Sequence, residues 1–277
     1  MKIIPLVKPI VFASSFVLIL ASCNRTEEAN TVSSIANDDN TAENAFYDLK
    51  LAGDNAGTKA TTKTVNLNEK SLVDTCAKVS YVNFDTVTKT GSLIVDFGDK
   101  NCPCKDGRNR RGKIGVAYTG ADKAIGSKVV YTPESYFVND NGVSGKKTIT
   151  YTAPLTFSIK VENGIIKKAD GSGTITWNSD RIRKMIGGYT TPLDFSDDIY
   201  EISGTSSGIN ASGNSYSFTT ESPLVKAIGC QFIKSGKLKI QRSGKKDATV
   251  DYGDGTCDDK GTISIGTWTK DITLKKW

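Results

Sequence analysis

The sequence predicts an all-β protein, a long antiparallel β-meander that folds as either one curved sheet or a sandwich. Apolar and polar residues alternate in many short segments, as they do in strands with one buried face. Threonine, valine, isoleucine and tyrosine are frequent in these segments, and glycine, asparagine and aspartate separate them. No stretch after residue 60 keeps an apolar helical period through three turns, which argues against crossover helices and a parallel sheet.

The turn sequences between these segments predict antiparallel hairpins. A short helix is expected at residues 46–51, and residues 180–186 are interpreted as a strand end or a single helical turn. The segments with the clearest alternation are residues 93–95, 113–118, 147–151, 156–161, 174–177, 215–218 and 237–240, and the turn sequences lie at 139–142, 162–164, 170–171, 212–214 and 243–244.

Residues 1–22 have the order of an export signal. Lys2 and Lys8 form a basic start, and the apolar run at residues 10–21 is shorter than the roughly 20 residues that a membrane-spanning helix needs. The run leads into the sequence Leu-Ala-Ser-Cys at residues 20–23, which resembles the bacterial lipobox closely. The alternative is an ordinary secretory signal followed by a chance cysteine.

The lipobox resemblance implies cleavage before Cys23, a diacylglycerol thioether on its sulfur and acylation of the new amino group. Several acyl chains hold a protein on a bilayer far more firmly than one. The resemblance therefore implies that the membrane is a partner of the protein, through the lipid. The expected location is the outer membrane, on its periplasmic face or at the cell surface.

Residues 23–45 are expected to be a lipidated, flexible tether. The segment after Cys23 is polar and acidic and contains no aromatic residue, so it offers little apolar surface to bury. As a flexible coil it would span roughly 26 Å and lift the body off the membrane. The remaining residues, 46–277, are expected to form one β-rich body. The net charge of the protein falls only from +6 to +4 without residues 1–22, which gives no argument for nucleic acid as a partner.

An internal repeat is the most informative feature of the body. The sequence V-D-F-G-D-K-N-C at residues 95–102 recurs as V-D-Y-G-D-G-T-C at residues 250–257. We interpret the match as a duplicated, cysteine-containing β unit near each end of the body, at about residues 72–120 and 226–274. Chance similarity in a protein rich in glycine and aspartate is the alternative.

The cysteines of an exported protein are readily oxidised, and their spacing predicts one disulfide in each unit. We expect these to join Cys76 to Cys102 and Cys230 to Cys257, each contributing roughly 3 to 4 kcal/mol. Cys104 is left over and competes with Cys102 for Cys76. A redox or metal site at residues 102–104 is a further alternative, but the sequence has no histidine and no second close cysteine pair to complete it.

The body contains, in sequence order, the motifs D-F-G-x-x-N-C, D-G-R-x-R-R-G-K-I, Y-T-G, Y-F-V-N-D-N-x-V-x-G and D-Y-G-D-G-T-C-D. Together these motifs are similar to lipoproteins of Bacteroidetes that have no established activity. The similarity covers most of the sequence from about residue 75 onward. The acidic sequence at residues 26–28 also resembles signals that send some of these proteins to the cell surface. The resemblance implies β content and location, and no catalytic residue.

Possible binding and catalytic groups remain few. The absence of histidine excludes Ser-His-Asp and Cys-His catalysis and most zinc and haem sites, and no metal or cofactor is expected. The densest basic cluster is an anion-binding candidate for acidic glycans, or else a solvated hairpin tip. The paired carboxylates of the repeated turn are candidates for glycoside hydrolysis or calcium binding, although aspartate in such turns commonly caps its own backbone. The anion candidates are Lys105, Arg108, Arg110 and Arg111, flanked by Lys100 and Lys113, and the carboxylate pairs are Asp96 with Asp99 and Asp251 with Asp254.

These observations lead us to expect a non-enzymatic, membrane-tethered β protein that has a binding or structural role, with an acidic glycan or an envelope protein as its partner. One alternative is a lipid or lipoprotein carrier, which predicts a large apolar groove. The other is a polysaccharide-active enzyme, which predicts two carboxyl groups facing each other across a cleft.

Overall fold

The structure is a computed structural model that describes residues 16–61, 76–85, 87–191 and 197–274, and it describes the side chains of the first segment over residues 26–56. One α-helix, α1 (Phe16–Thr61), precedes all the described strands. The strands are β1 (Lys78–Asp85), β2 (Thr90–Asp96), β3 (Cys102–Pro103), β4 (Asn109–Thr119), β5 (Lys128–Val138), β6 (Asn141–Ala153), β7 (Thr156–Lys167), β8 (Thr174–Gly187), β9 (Ile199–Ile209), β10 (Ser215–Ala227), β11 (Ser235–Gln241), β12 (Ala248–Asp254), β13 (Lys260–Ile265) and β14 (Trp268–Thr273).

All fourteen strands belong to one curved, unclosed antiparallel sheet. The strands lie in the sheet in sequence order, except for β3. The short strand β3 pairs with β4, which also pairs with β2. The predicted all-β meander is therefore confirmed, and the choice between a sandwich and a curved sheet is decided in favour of the curved sheet. Residues 180–186 lie inside β8, whose ladder with β9 continues to Gly187.

Bulges interrupt the longest strands and help the sheet to curve. One lies between Arg111 and Lys113, where the register of β4 against β5 shifts. Gly112 has a φ of +85° there, and a Cβ atom on it would lie 2.0 Å from the carbonyl oxygen of Ser135. Only glycine fits this close approach, so the bulge is built into the sequence.

The core lies between α1 and one face of the sheet, which we call the inner face. Alternate strand residues point to it, as the burial of Leu93 and Val95 in β2 and of Ile263 in β13 illustrates. From the helix, Val32 and Phe46 are fully buried against the same core. The opposite face, which we call the outer face, carries the exposed residues of the alternation. The sheet thus has one covered side, and the helix covers it.

The position of α1 corrects the expectation of a flexible tether at residues 23–45. The helix runs through this segment, and its side chains begin to contact the sheet at Glu28. The expected short helix at 46–51 is part of the same helix. The tether was expected because the segment is acidic. The structure instead pairs those acids with cations of the inner face, so polarity did not prevent ordering.

Two features of the N-terminal region bear on the predicted export signal. Residues 1–15 of the predicted signal peptide lie outside the described residues, as does the side chain of Cys23. Searched over the described residues, the structure has no helix that combines the length and the apolar content needed to cross a bilayer.

Candidate functional site

The inner face is unusual in that part of it is basic. Along β8 the inward positions begin with Ile175 and Trp177 and end with Arg181 and Arg183, all of them buried. Buried charged groups are rare unless they are paired. Other buried cations on this side are Arg110, Lys147, Lys226 and Arg242.

The helix supplies the opposite charge. Residues 26–56 contain seven acidic side chains and one lysine, a net charge of −6, whereas residues 76–277 carry a net charge of +8. The acids of α1 that are buried against the sheet are Asp38, Asp39, Glu43 and Asp48. The helix and the inner face are therefore electrostatically complementary along their contact.

Asp39 is the centre of one polar cluster. It accepts hydrogen bonds from Trp177 Nε1 at 2.6 Å and Ser206 Oγ at 2.8 Å, and Arg181 Nη2 lies 3.6 Å from its carboxylate. Burial nevertheless raises the pKa of Asp39 above its ordinary value, because desolvation outweighs the stabilising effect of Arg181 and the hydrogen bonds. Tyr216 completes the cluster from β10, with its hydroxyl 3.4 Å from the same carboxylate.

Asp48, which lies nine residues after Asp39 in α1, is the centre of a second polar cluster. Its Oδ1 accepts hydrogen bonds from Arg108 Nη1 and Arg110 Nη2, both at 2.6 Å, and Tyr136 donates its hydroxyl to Oδ2. Asp106 takes two further hydrogen bonds from Arg110, at 2.8 and 2.6 Å. Burial alone would lower the pKa of Arg110, but the hydrogen bonds to Asp106 and Asp48 raise it above its ordinary value.

Two buried lysines are bound mainly by backbone oxygens. Lys147 Nζ donates to the carbonyl of Phe46 on α1 at 2.9 Å, and Lys226 Nζ donates to the carbonyl of Cys230. Burial lowers the pKa of Lys147 to about 7 and the pKa of Lys226 to about 8. Glu43 opposes the shift at Lys147, whereas Arg183 adds to the shift at both lysines. Burial therefore makes both lysines lose their protons at a lower pH than an exposed lysine would.

Close packing accompanies the polar clusters. The rings of Phe46 and Trp177 stack with centroids 5.6 Å apart. A Cβ atom on Gly53 of α1 would lie 2.6 Å from a ring carbon of Tyr131, whose hydroxyl donates to Asp54 at 2.7 Å. Glycine at this helical position thus lets the helix approach the sheet. Two pockets beside α1 have volumes of only about 30 Å³ each, room for about one or two water molecules.

Three of the four predicted anion-binding residues are engaged by carboxylates of the protein itself. Arg108 and Arg110 bind Asp48 as described, and Arg111 binds Asp140 while its guanidinium lies 3.9 Å from the ring centroid of Phe137. Lys105 is exposed. The arginines of the basic cluster therefore neutralise acids of the helix and of its neighbouring loops, and binding of an external anion stays a prediction.

The paired carboxylates of the repeated turn cap their own backbone. Asp96 Oδ1 accepts the amide of Gly98 at 2.8 Å, and Asp251 Oδ1 accepts that of Gly253 at 3.0 Å. Asp254 likewise accepts the amide of Thr256 at 3.0 Å. Within the described residues, no group of three or more acidic or cysteine side chains is placed to hold a metal ion. Asp96, Asp251 and Asp254 thus have the turn-capping role, which was one of the three interpretations of the repeated turn.

Both predicted disulfides are present. Cys76 is bonded to Cys102 and Cys230 to Cys257, with Cα atoms 5.5 and 5.8 Å apart. Cys104 is free and buried, and burial raises the pKa of its thiol. Each disulfide joins the start of one hairpin to the segment that follows its second strand, β1–β2 in one unit and β11–β12 in the other. The duplication of these units stays a prediction.

Comparisons with protein-family models, with curated proteins and with solved structures gave no significant match to this protein. The resemblance to Bacteroidetes lipoproteins therefore stays a prediction, and the function has to be inferred from the protein's own geometry.

The sequence reasoning missed the acids of α1 as functional residues. Asp39 lies in the predicted tether and Asp48 in the predicted short helix, and each is buried. A signal was present in β8, where Arg181 and Arg183 share the inward parity of Ile175 and Trp177. Cations at inward positions require buried anions, and the acidic segment that precedes the strands can supply them.

Proposed function

We propose that this protein is a non-enzymatic lipoprotein of the bacterial envelope, anchored at the outer membrane through lipid on Cys23, with its sheet as a binding or structural surface. The observation that carries the proposal is the path of α1. Cys23 and Glu28 belong to one helix, and Arg242 of the sheet donates to Glu28 at 3.0 Å. The position of the lipid is thereby joined to the sheet through ordered backbone.

The short connection supports a position of the sheet close to the bilayer. Glu28 lies five positions after Cys23 in the helix, an axial rise of roughly 7.5 Å. A flexible tether would have allowed roughly 26 Å. Because the acyl chains must enter the membrane, the end of the sheet next to Glu28 lies near the headgroups, and the protein acts as a platform held against the membrane.

The outer face is the surface that this platform offers to partners. The registers of β7 to β14 align one residue from each strand in a continuous row, and neighbouring strands are about 4.8 Å apart. The row contains hydroxyl, lysine and aspartate side chains, which suit a hydrated partner such as a glycan or a polar protein surface. Its members are Lys160, Asp180, Thr205, Thr219, Lys239, Thr249, Ser264 and Thr269.

The arrangement of the inner face supports a role without catalysis. Asp39 and Asp48 are each held by an arginine and by hydroxyl or indole donors, so neither is placed to exchange protons with a substrate. The carrier alternative needs an open apolar groove, whereas α1 fills the inner face and the pockets beside it are about 30 Å³ each. The binding or structural role is the one that needs no rearrangement of the described residues.

The test is the mass and location of the mature protein. We expect the protein expressed in a Gram-negative bacterium to begin at Cys23, to carry the mass of diacylglycerol and an amide-linked acyl chain, and to fractionate with the outer membrane. The Cys23→Ser variant should lose the acyl mass and the membrane association while keeping its fold by circular dichroism. A wild-type product without acyl mass would overturn the proposal.

A further inference from the structure

A second observation concerns the surface next to the lipid position, and the inference from it rests on the proposed anchoring at Cys23. Arg242 holds two segments at once: its Nη2 donates to Glu28 of α1 at 3.0 Å and to the carbonyl of Lys246 at 2.8 Å. The turn between β11 and β12, residues 242–247, is therefore fixed beside the first docked turn of the helix. Two residues further along the helix, Lys270 of β14 donates to Asn30 at 3.0 Å.

Some charged side chains of this turn are paired with an opposite charge, and others are not. Arg242 is paired with Glu28, and Asp247 is paired with Lys239 at 2.8 Å. Lys245 and Lys246 are both exposed, and neither forms an ion pair with another of the residues that the structure describes. Two adjacent positive charges are thus left over at the end of the sheet that is closest to Cys23.

We propose that the turn of residues 242–247 lies against an anionic phospholipid surface, with Lys245 and Lys246 at its headgroups. Glu28 touches the turn, and Cys23 is roughly 7.5 Å of helix away from Glu28. That separation is close to the Debye length of roughly 8 Å at physiological salt, so screening by salt weakens the attraction between the lysines and the surface without abolishing it. The acyl chains supply the anchoring, and the lysines set the orientation of the sheet on the membrane.

The same orientation directs the opposite end of α1, and the part of the sheet beside it, away from the bilayer. With the turn of residues 242–247 directed toward the headgroups, the turn that joins β4 and β5 lies at the other end of α1, where Tyr118 approaches Gly53 with its hydroxyl 3.5 Å from the Gly53 carbonyl. Lys123 and Lys128, in and beside that turn, are also exposed. They are a matched pair of lysines on the part of the sheet that should face away from the bilayer.

The test measures the electrostatic contact without the anchor. The mature full-length protein with Cys23→Ser is sedimented with vesicles of phosphatidylcholine alone and with vesicles that also contain phosphatidylglycerol. Each basic residue near an anionic surface strengthens binding about fivefold, so K245E/K246E should weaken binding to the anionic vesicles at least about 30-fold. K123E/K128E, with the same change of charge, should leave that binding within about twofold, and raised salt should weaken wild-type binding.

The outcomes separate this inference from the proposed function. Equal binding of the unlipidated protein to both kinds of vesicle, or equal losses from the two double variants, would overturn the membrane-facing turn. Acyl mass on wild-type Cys23 together with either of these results would leave the lipoprotein proposal standing. Selective loss in K245E/K246E without acyl mass on the wild type would support the turn and overturn the anchor. Circular dichroism of both double variants establishes that each retains the wild-type fold.

Discussion

The two disulfide-bonded units differ in what neutralises their basic segments. In the first unit, Arg110 has a side chain only 2% exposed and is bound by Asp48 and Asp106. In the second unit, Lys245 and Lys246 are exposed, and the nearby carboxylates of Glu28 and Asp247 are taken by other cations. The arginines of the denser basic cluster are therefore paired with acids of the protein itself, whereas Lys245 and Lys246 of the sparser one are exposed. The density of basic residues in the sequence does not by itself identify a binding surface. A cation is available to a partner only where no acid of the protein itself lies beside it.

The largest effect is expected from removing the acid that neutralises the first unit. Asp48→Ala leaves Arg110 buried with Asp106 as its remaining carboxylate and takes the carboxylate of Asp48 from Arg108. Breaking a buried pair in this way should cost about 3–5 kcal/mol of unfolding free energy, measured in denaturant.

The control is an exposed pair of similar geometry. Lys89 lies 2.7 Å from Asp122, and both side chains are more than a third exposed, at 39% and 45%. Asp122→Ala should cost less than about 1 kcal/mol. Equal losses for Asp48→Ala and Asp122→Ala would contradict the description of the first unit as internally neutralised.

The next largest effect tests whether the two units are equally dependent on their disulfides. The sequence separations are 26 and 27 residues, so C76S/C102S and C230S/C257S should each cost roughly 3–4 kcal/mol in the loop-entropy account. Thermal and denaturant unfolding of the two double variants measures this directly. Cys104→Ala, which leaves both disulfides in place, is the control and should cost about 1 kcal/mol. A large loss from one unit only would show that the two hairpins are not equivalent.

A smaller effect, dependent on pH, is expected from the buried Lys147. Burial lowers the pKa of this lysine to about 7 from an ordinary value of 10.5, so between these values the unfolded protein binds more protons than the folded protein. The stability of the wild type should therefore rise with pH from about 7 upward, relative to a variant that lacks the group. Groups that influence Lys147 are Glu43 and Asp54, which favour its charge, and Lys50 and Arg183, which oppose it.

Lys147→Met is the variant for this measurement. Relative to it, the wild type should gain about 1–2 kcal/mol of unfolding free energy between pH 7 and pH 9. Exposed Lys146, paired with Glu162 at 2.8 Å, supplies the control as Lys146→Met, which should show no such slope. If the unfolding free energies of wild type and Lys147→Met changed in parallel with pH, the lowered pKa of Lys147 in the folded protein would be contradicted.

The smallest effect is expected from the second unit's free lysines. K245E/K246E should change the unfolding free energy by less than about 0.5 kcal/mol, because exposed groups without partners contribute little to folding. A loss of several kcal/mol would mean that these lysines serve the fold, and the contrast between the two units would disappear.

Alternation and turn chemistry were sufficient to predict most of the sheet. Residues such as Ile175 and Trp177 show the inward parity in the sequence and are buried in the structure. The disulfides followed from spacing and compartment, and both are present. Curvature could not be predicted, since alternation fixes the faces of a strand but not the number of strands that share a sheet. Bulges such as the one at Gly112 depend on contacts with the neighbouring strand.

Most of the candidate site could not be predicted from the sequence. Asp39 lies in a segment whose composition is typical of a solvated tether and Asp48 in the predicted short helix, and their partners Trp177 and Arg110 are 138 and 62 residues away. Nothing local in α1 shows that its acids are buried, because each is stabilised by residues of distant strands. Cations at inward strand positions, such as Arg181 in β8 and Lys147 in β6, were the feature of the sequence that contradicted the assumption of an ordinary apolar core.

The most direct test of the central claim is hydrogen exchange, followed by mass spectrometry, over residues 28–54 of the mature full-length protein. If α1 is docked on the inner face, amides around Val32, Phe46 and Leu49 should be protected as strongly as those of the central strands, and Asp48→Ala should reduce that protection. Exchange of residues 28–45 at the rate of an unstructured peptide would contradict the account and restore the flexible tether.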